Sequence, residues 1–122
     1  RRRGAFSMSL SKDLTAATAE PLILSILARD DSYGYALIKE VQALSGGRVK
    51  WTEGMLYPVL HRLEQQGYIK AEWRASETGR QRKYYCLQNS GKKRLTSQLD
   101  QWQLAHGLIT ASLAAIGGSH AG

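Results

Sequence analysis

The chain has 122 residues and a mass of 13.5 kDa, which is the size of one compact domain. Hydrophobic residues make up 43% of the sequence and charged residues 22%, and this mixture excludes wholesale disorder. A net charge of +7 favours a polyanionic partner. The single cysteine, Cys86, excludes an internal disulfide and is typical of the reducing cytoplasm, which is the predicted location. No apolar stretch approaches the roughly 20 residues of a membrane span, so no membrane partner is expected.

The first residues carry little information about the fold. Residues 1–8 are interpreted as a vector remnant or a disordered arm, with Met8 as the natural start. A native basic arm of Arg1, Arg2 and Arg3 that reaches into DNA is the alternative. We therefore leave these residues out of the fold prediction.

The basic charge is concentrated in the middle of the chain. Residues 46–94 carry eleven Lys or Arg side chains against four Asp or Glu side chains, whereas the flanking segments are nearly neutral. A charge cluster is commonly just a solvated surface, so the charge alone does not establish a nucleic-acid partner.

Hydrophobic spacing predicts two helices at the start of the chain. Residues 14–29 are rich in Ala and Leu and form the first helix despite Pro21. Residues 30–32, Asp-Asp-Ser, offer capping oxygens to a second helix over residues 33–44. The Gly-Gly pair at residues 46–47 ends it, because glycine adopts the left-handed cap.

A third helix follows, and its start is open between two positions. Thr52 is the candidate N-cap, Gly67 ends the helix, and apolar side chains share one side at Leu56, Val59, Leu60 and Leu63. Pro58, however, belongs in a first helical turn, which would move the start to Tyr57.

Alternation with a period of two then predicts a hairpin. Residues 69–74 and 80–87 are its strands, and residues 75–79 are the turn. The tip is basic, with Arg80, Arg82 and Lys83, and the aromatic residues expected to pack at the base are Trp73, Tyr84 and Tyr85. A long final helix runs from residues 89–90 to about Ile116.

This order of elements is that of a winged helix-turn-helix, whose third helix enters the major groove while the hairpin contacts phosphates or the minor groove. The predicted fold class is mainly α with a small β hairpin. Residues 9–89 are expected to form the DNA-binding domain, residues 90–116 a C-terminal dimerisation helix, and residues 117–122 a disordered tail.

The run EGMLYPVLHRLEQQG at residues 53–67 closely resembles the third-helix signature of PadR-family transcriptional regulators. Three further segments match in the same order: SYGYAL at residues 32–37, GRQRKYY at 79–85 and NSGKKRL at 89–95. The resemblance covers about residues 14–95 and is to the short subfamily with a single C-terminal helix. It implies that the third helix starts near Thr52 and tolerates Pro58 inside.

The resemblance implies a DNA-binding regulator of transcription that forms a homodimer. We predict a repressor of a pseudo-palindromic operator on double-stranded DNA, relieved by a small aromatic ligand. The alternative is a winged-helix module that binds protein and not DNA. A steep, log-linear salt dependence of DNA binding distinguishes the two classes.

Several positions depart from the family pattern. The family usually has a hydroxyl residue where Met55 stands, histidine at Tyr33 and glutamate at Ala36, while Cys86 and Gln88 replace a commoner arginine and threonine. Met55 offers only an apolar contact, such as one to a thymine methyl group. Base preferences of the family are therefore not transferred to this chain.

The expected DNA contacts lie on the second helix, the third helix and the hairpin: Tyr33, Thr52, Gly54, Met55, Tyr57, His61, Arg62, Arg80, Arg82 and Lys83. Core packing is the alternative for Tyr57, and plain solvation is the alternative for His61 and Arg62. Lys39 is a weaker candidate of the same kind.

No catalytic, cofactor or metal site is predicted. His61, His106 and His120 lie far apart, without a carboxylate at a telling spacing. Cys86 lies inside a strand with no activating base, so it is interpreted as a buried structural thiol. Zinc-like ligand spacing is missing from the sequence, although a metal sensor built across subunits stays open.

The last helix carries an apolar stripe at steps of three and four residues, interrupted by His106. The expected dimer contacts on it are Leu95, Leu99, Trp102, Ile109, Leu113 and Ile116. Leu104, Ala105 and Leu108 add a second apolar side, and packing within one chain is the alternative. In multidrug-sensing relatives a tryptophan on this helix stacks on flat aromatic ligands, so Trp102 is a candidate ligand contact, and plain packing in the dimer is the alternative.

Overall fold

A computed structural model describes residues 8–121, with side chains described through Ile116. The expectations for residues 1–7 and for the side chains of residues 117–122 lie outside the described residues. The elements in chain order are α1 (Lys12–Arg29), β1 (Ser32–Tyr33), α2 (Gly34–Leu44), α3 (Glu53–Gln65), β2 (Ile69–Ala75), β3 (Gln81–Leu87) and α4 (Asn89–Ala121).

The core lies where α1, α2 and α3 meet the base of the sheet. Its largest fully buried side chains are Ile23, Leu24, Leu37, Val41, Leu56, Leu60, Leu63 and Ile69. Burying one such side chain contributes about 1.5–3 kcal/mol, so this cluster is the main source of stability. Because α3 gives three leucines to the core, its opposite face is left for another partner.

The sheet has one strand more than the predicted hairpin. Its order is β1-β3-β2, all antiparallel, and β1 pairs through Ser32 with Tyr85 and through Tyr33 with Tyr84. Tyr33 is thereby held in extended backbone and becomes the N-cap residue of α2, without a side-chain cap hydrogen bond. The prediction that residues 30–32 cap this helix is therefore wrong, since Asp31 binds Arg74 instead.

Of the two predicted starts for α3, the structure has the one at Thr52. The Thr52 hydroxyl accepts a hydrogen bond from the Met55 N–H at 3.2 Å, so the helix begins at Glu53 and Pro58 lies inside it. Pro58 cannot donate to the carbonyl of Gly54, four residues earlier. Gly54 itself is exposed to solvent.

A buried carboxylate joins three helices. Glu20 of α1 accepts hydrogen bonds from Arg94 at 2.6 Å and from Gln98 at 2.8 Å, both on α4. Arg62 of α3 lies 3.8 Å from the other Glu20 oxygen. The hydrogen bond to Glu20 raises the pKa of Arg94. These contacts fix the first turns of α4 against the domain.

Beyond these turns α4 extends away from its own domain. Its 33 residues span about 50 Å, and every described side chain from Leu99 onward is exposed. The helix is assigned through Ala121 and so continues past the end predicted near Ile116. Glycines 117 and 118 lower helix propensity by about 1 kcal/mol each without preventing the backbone hydrogen bonds. No described helix is long and apolar enough to cross a membrane.

Candidate nucleic-acid interface

The exposed face of α3 presents Gly54, Tyr57 and His61. Their spacing of three and four residues places them together, opposite the buried leucines. Thr52 is exposed at the start of the helix. An added Cβ at Gly54 would meet nothing closer than the Thr52 hydroxyl at 3.9 Å, so a ligand can approach this backbone closely.

Two predicted contacts on α3 lie elsewhere. Met55 is half-buried and packs against the core, which turns its side chain away from this face. Arg62 is drawn toward Glu20 of α1. Neither side chain belongs to the surface formed by Gly54, Tyr57 and His61. The spacing of residues along the helix could not predict this, because it depends on contacts with the core and with α1.

Tyr57 both packs and remains accessible. Its ring lies against Gly34 at the start of α2, where an added Cβ would stand 2.7 Å from the Tyr57 Cζ atom. Its exposed fraction is nevertheless 43%. Tyr57 therefore packs on a neighbouring helix and still presents part of its ring to solvent. The glycine in the segment SYGYAL is the sequence feature that permits this packing.

A row of rings and cations lies on the outer face of the sheet and connects Tyr33 of β1 with the wing, the hairpin formed by β2 and β3. Arg82 lies 4.2 Å from the centre of the Tyr33 ring, which meets Tyr84 edge-on at 5.3 Å, and Arg74 covers Tyr84 at 4.7 Å. Arg74 donates to Asp31 at 2.8 Å, and this hydrogen bond lowers the pKa of the Asp31 carboxyl. The row therefore holds the Arg82 guanidinium in a defined place.

The other two cations of the wing point in different directions. Lys83 is on the inner face, 3.9 Å from Glu64 of α3 and 5.7 Å from the centre of the Tyr85 ring. Arg80 is exposed in the turn, directly after Gly79 with φ of +88°. Positive charge thus surrounds the wing tip on both faces.

Between α3 and the wing is a cleft of about 430 Å³, here called the helix–wing cleft. Its lining is aromatic and basic and consists of Tyr33, Gly34, Tyr35, Tyr57, Trp73, Gln81, Arg82 and Lys83. Trp73 is 65% exposed and Tyr35 58%, so the prediction that Trp73 packs at the wing base is wrong. Trp73 lies on the part of strand β2 that extends beyond the edge of the core. The predicted packing of Tyr85 is confirmed, because Tyr85 is buried.

The predicted dimer contacts differ in exposure. Leu95 is half-buried against the core, while the apolar side chains beyond it are exposed at Leu99, Trp102, Ile109, Leu113 and Ile116. Trp102 lines an apolar groove of about 220 Å³ with Thr18, Pro21, Leu22, Ser25 and Leu99. This groove lies between α1 and α4.

Cys86 is buried and free, as predicted for a structural thiol. Burial raises the pKa of its thiol, with a further contribution from Asp31, so the reactive thiolate is disfavoured at neutral pH. In the part of the chain that the structure describes, no group of three or more His, Cys, Asp or Glu side chains could hold a metal ion.

Comparisons with known proteins agree with this architecture. The family model "Transcriptional regulator PadR-like family" matches residues 23–97. The transcriptional regulator YqjI of Escherichia coli K12 is 36% identical over 90 residues, which cover 74% of this chain and 42% of YqjI, so the match spans less than half of that relative.

Solved structures match over nearly their whole length. A transcriptional regulator from Clostridium thermocellum superposes with a TM-score of 0.76 at 32% identity, covering 83% of this chain and 95% of that one. A PadR family transcriptional regulator from Eggerthella lenta gives a TM-score of 0.71 at 34% identity, covering 83% and 86%. The matched family and these structures are regulators of transcription and not enzymes.

The Arg82→Ala variant tests the wing. Loss of one phosphate contact should weaken binding to a random-sequence duplex and lower the slope of log affinity against log salt by about one unit. Fluorescence anisotropy at several salt concentrations measures both quantities. Lys12→Ala, which removes an exposed cation from the start of α1, is the matched control and should bind like the unaltered protein. Equal affinity and slope in Arg82→Ala would remove the wing from the interface.

Proposed function

Because the chain belongs to the PadR-like family of transcriptional regulators, we propose that it is a homodimeric repressor that binds a pseudo-palindromic operator. DNA-binding regulation of transcription is the activity of this family. The observation that carries the proposal is the exposed face of α3 beside a basic wing, on one side of the domain. A DNA ligand also agrees with a cytoplasmic location.

In this proposal α3 enters the major groove with Gly54 toward the duplex, so that Tyr57 and His61 reach base edges or phosphates. The Thr52 hydroxyl accepts the capping hydrogen bond and keeps its own O–H to donate to a phosphate. The exposed first turn of α3 offers backbone N–H groups to the same phosphate. Arg62 and Met55 act indirectly, through the Glu20 contacts and the core.

The wing supplies affinity that does not depend on base sequence. Arg80 and Arg82 are suited to phosphates or to a narrow minor groove, because both guanidinium groups stand near the wing tip. Lys83 reaches a phosphate by exchanging its 3.9 Å pairing with Glu64. Such a pairing of half-exposed groups is weak, so the exchange costs little.

The exposed stripe on α4 supports dimerisation. Contiguous exposed apolar side chains mark an association surface, and this helix carries Asp100 as its one charged residue after Leu95 in the described part of the chain. A two-fold dimer places two α3 helices in successive major grooves, which is why the proposed operator is pseudo-palindromic. Repression follows when such a dimer occupies DNA that the polymerase needs.

A small, flat aromatic effector is proposed for the groove beside Trp102. The Trp102 ring is 38% exposed and the groove lining is apolar, which suits stacking of a planar ligand. A ligand between α1 and α4 would change how α4 leaves the domain, and therefore the separation of the two α3 helices in the dimer.

The alternative function is that of a winged-helix module that binds protein and does not bind DNA. It requires the unaltered protein to lack salt-dependent affinity for a random-sequence duplex at any salt concentration. The basic residues of the wing favour the regulator instead.

The Leu113→Glu variant tests the dimer. It places a carboxylate in the apolar stripe, and burying that charge without a partner costs several kcal/mol, so the dimer should dissociate or the chain aggregate. Sedimentation measures the change, and duplex affinity should fall although every DNA-facing residue is intact. Gln103→Glu adds the same charge beside the stripe and should remain dimeric. A dimeric Leu113→Glu would locate the interface elsewhere.

A planar cationic dye tests the effector site. The dye should quench the fluorescence of Trp102 and weaken duplex binding by the unaltered protein, because ligand and DNA favour different arrangements of the dimer. Trp51 and Trp73 also fluoresce, so the comparison is with Trp102→Ala. Equal quenching in both proteins would leave Trp102 with a packing role alone.

A further inference from the structure

We propose that Trp73 is a DNA contact, and that the helix–wing cleft holds the sugar-phosphate backbone of one strand with the indole packed on a deoxyribose. The inference rests on the proposed function and adds to it an apolar contact that carries no charge. Trp73 was not among the residues expected to bind DNA from the sequence.

The placement of Trp73 is unusual for the face that carries it. Side chains alternate along β2, so Trp73 shares its face with Ile69, which is 1% exposed, and with half-buried Ala71. Trp73 itself is 65% exposed. Its cross-strand partner on the same face is Lys83. The core therefore ends below Trp73, and the indole has no packing role that explains its size.

Isolated exposed apolar residues are common and need no explanation. Trp73 is not isolated, because the exposed rings of Tyr35 and Tyr57 line the same cleft. Cations stand at the border of these rings: Arg82 and Lys83 line the cleft, and the Lys39 ammonium lies 5.7 Å from the centre of the Tyr35 ring.

Flat apolar surfaces bordered by cations suit a ligand that combines apolar rings with negative charge. A sugar-phosphate strand has both in regular alternation, with phosphates for the cations and deoxyribose for the aromatic faces. An apolar protein partner would add no counter-charge for Arg82 or Lys39, and Lys83 would keep only its 3.9 Å pairing with Glu64. The indole N–H adds one donor that a phosphate oxygen can accept.

Duplex DNA fits the cleft better than a single strand does. One wall of the cleft contains Tyr57, and the exposed face of α3 continues from it to His61. A strand that follows the cleft would thus lie along the edge of the groove that α3 enters, which requires the second strand on the far side of α3. A single strand would instead stack its bases on the three rings.

The first experiment measures binding of a random-sequence duplex to Trp73→Leu over a range of salt concentrations. Affinity should fall about tenfold because the apolar contact between the indole and the deoxyribose is lost. The salt slope should stay unchanged because no charge is removed. Trp73→Phe should keep most of the affinity. Leu44→Ala is the matched control, since Leu44 is 61% exposed outside the cleft, and it should bind like the unaltered protein.

The second experiment observes the indole directly. The unaltered protein and Trp73→Leu both contain Trp51 and Trp102, and Trp51 is only 4% exposed. The difference in acrylamide quenching between these two proteins therefore reports on Trp73, and the duplex should reduce that difference. Thermal denaturation of Trp73→Leu close to that of the unaltered protein shows that the fold is intact.

Each contrary outcome has a distinct meaning. Salt-dependent duplex binding by the unaltered protein, with equal affinity in Trp73→Leu and no protection from acrylamide, would overturn the inference while the proposed function stands. Tighter binding of a single strand than of the duplex, lost in Trp73→Leu, would overturn the assignment to duplex DNA. Absence of any DNA binding by the unaltered protein would overturn the proposed function and this inference together.

Discussion

The contact between the Tyr57 ring and the backbone of Gly34 sets the geometry on which the proposed interface depends. A side chain at residue 34 would collide with that ring, so the glycine lets the Tyr57 ring of α3 pack directly on the backbone at the start of α2. Tyr33 comes directly before this glycine and pairs with β3. The Arg82 guanidinium lies over the Tyr33 ring. One close approach therefore links the exposed face of α3 to the outer face of the wing.

A second junction connects this surface to the helix that leaves the domain. Glu20 is buried and receives donors from α4 on one oxygen and faces Arg62 of α3 with the other. Removing one partner from such a cluster leaves a buried charge without a counter-charge, which destabilises the fold. Arg62 therefore has a reason to be basic that does not involve DNA. Because Gln98 lies one turn before Trp102, the same cluster connects the groove on α1 and α4 with α3.

Local signals in the sequence were sufficient for the four helices, for the hairpin and for the buried side of α3. The Thr52 cap, the spacing of Leu56, Leu60 and Leu63, and the alternation along the hairpin each depend on neighbours within a few residues. Periodicity alone left two starts for α3, and the resemblance to the family chose the one that the structure has.

Features that depend on distant neighbours could not be predicted in this way. Strand β1 has two residues, too few for any alternation, and exists because β3 lies beside it. Asp31 is a residue type that commonly caps helices. Its carboxylate instead accepts a hydrogen bond from Arg74, which lies 43 positions further along the chain. The exposure of Trp73 depends on where the core ends, and alternation contains no information about that.

The most direct test of the helix–wing surface is a titration of the ¹⁵N-labelled protein with a random-sequence duplex, followed by amide and indole chemical shifts. The largest changes should cluster in residues 52–61 of the α3 region, in residues 79–83 of the wing and at the Trp73 indole. Changes confined to α1 and α4, with the α3 and wing amides unmoved, would contradict the proposed interface.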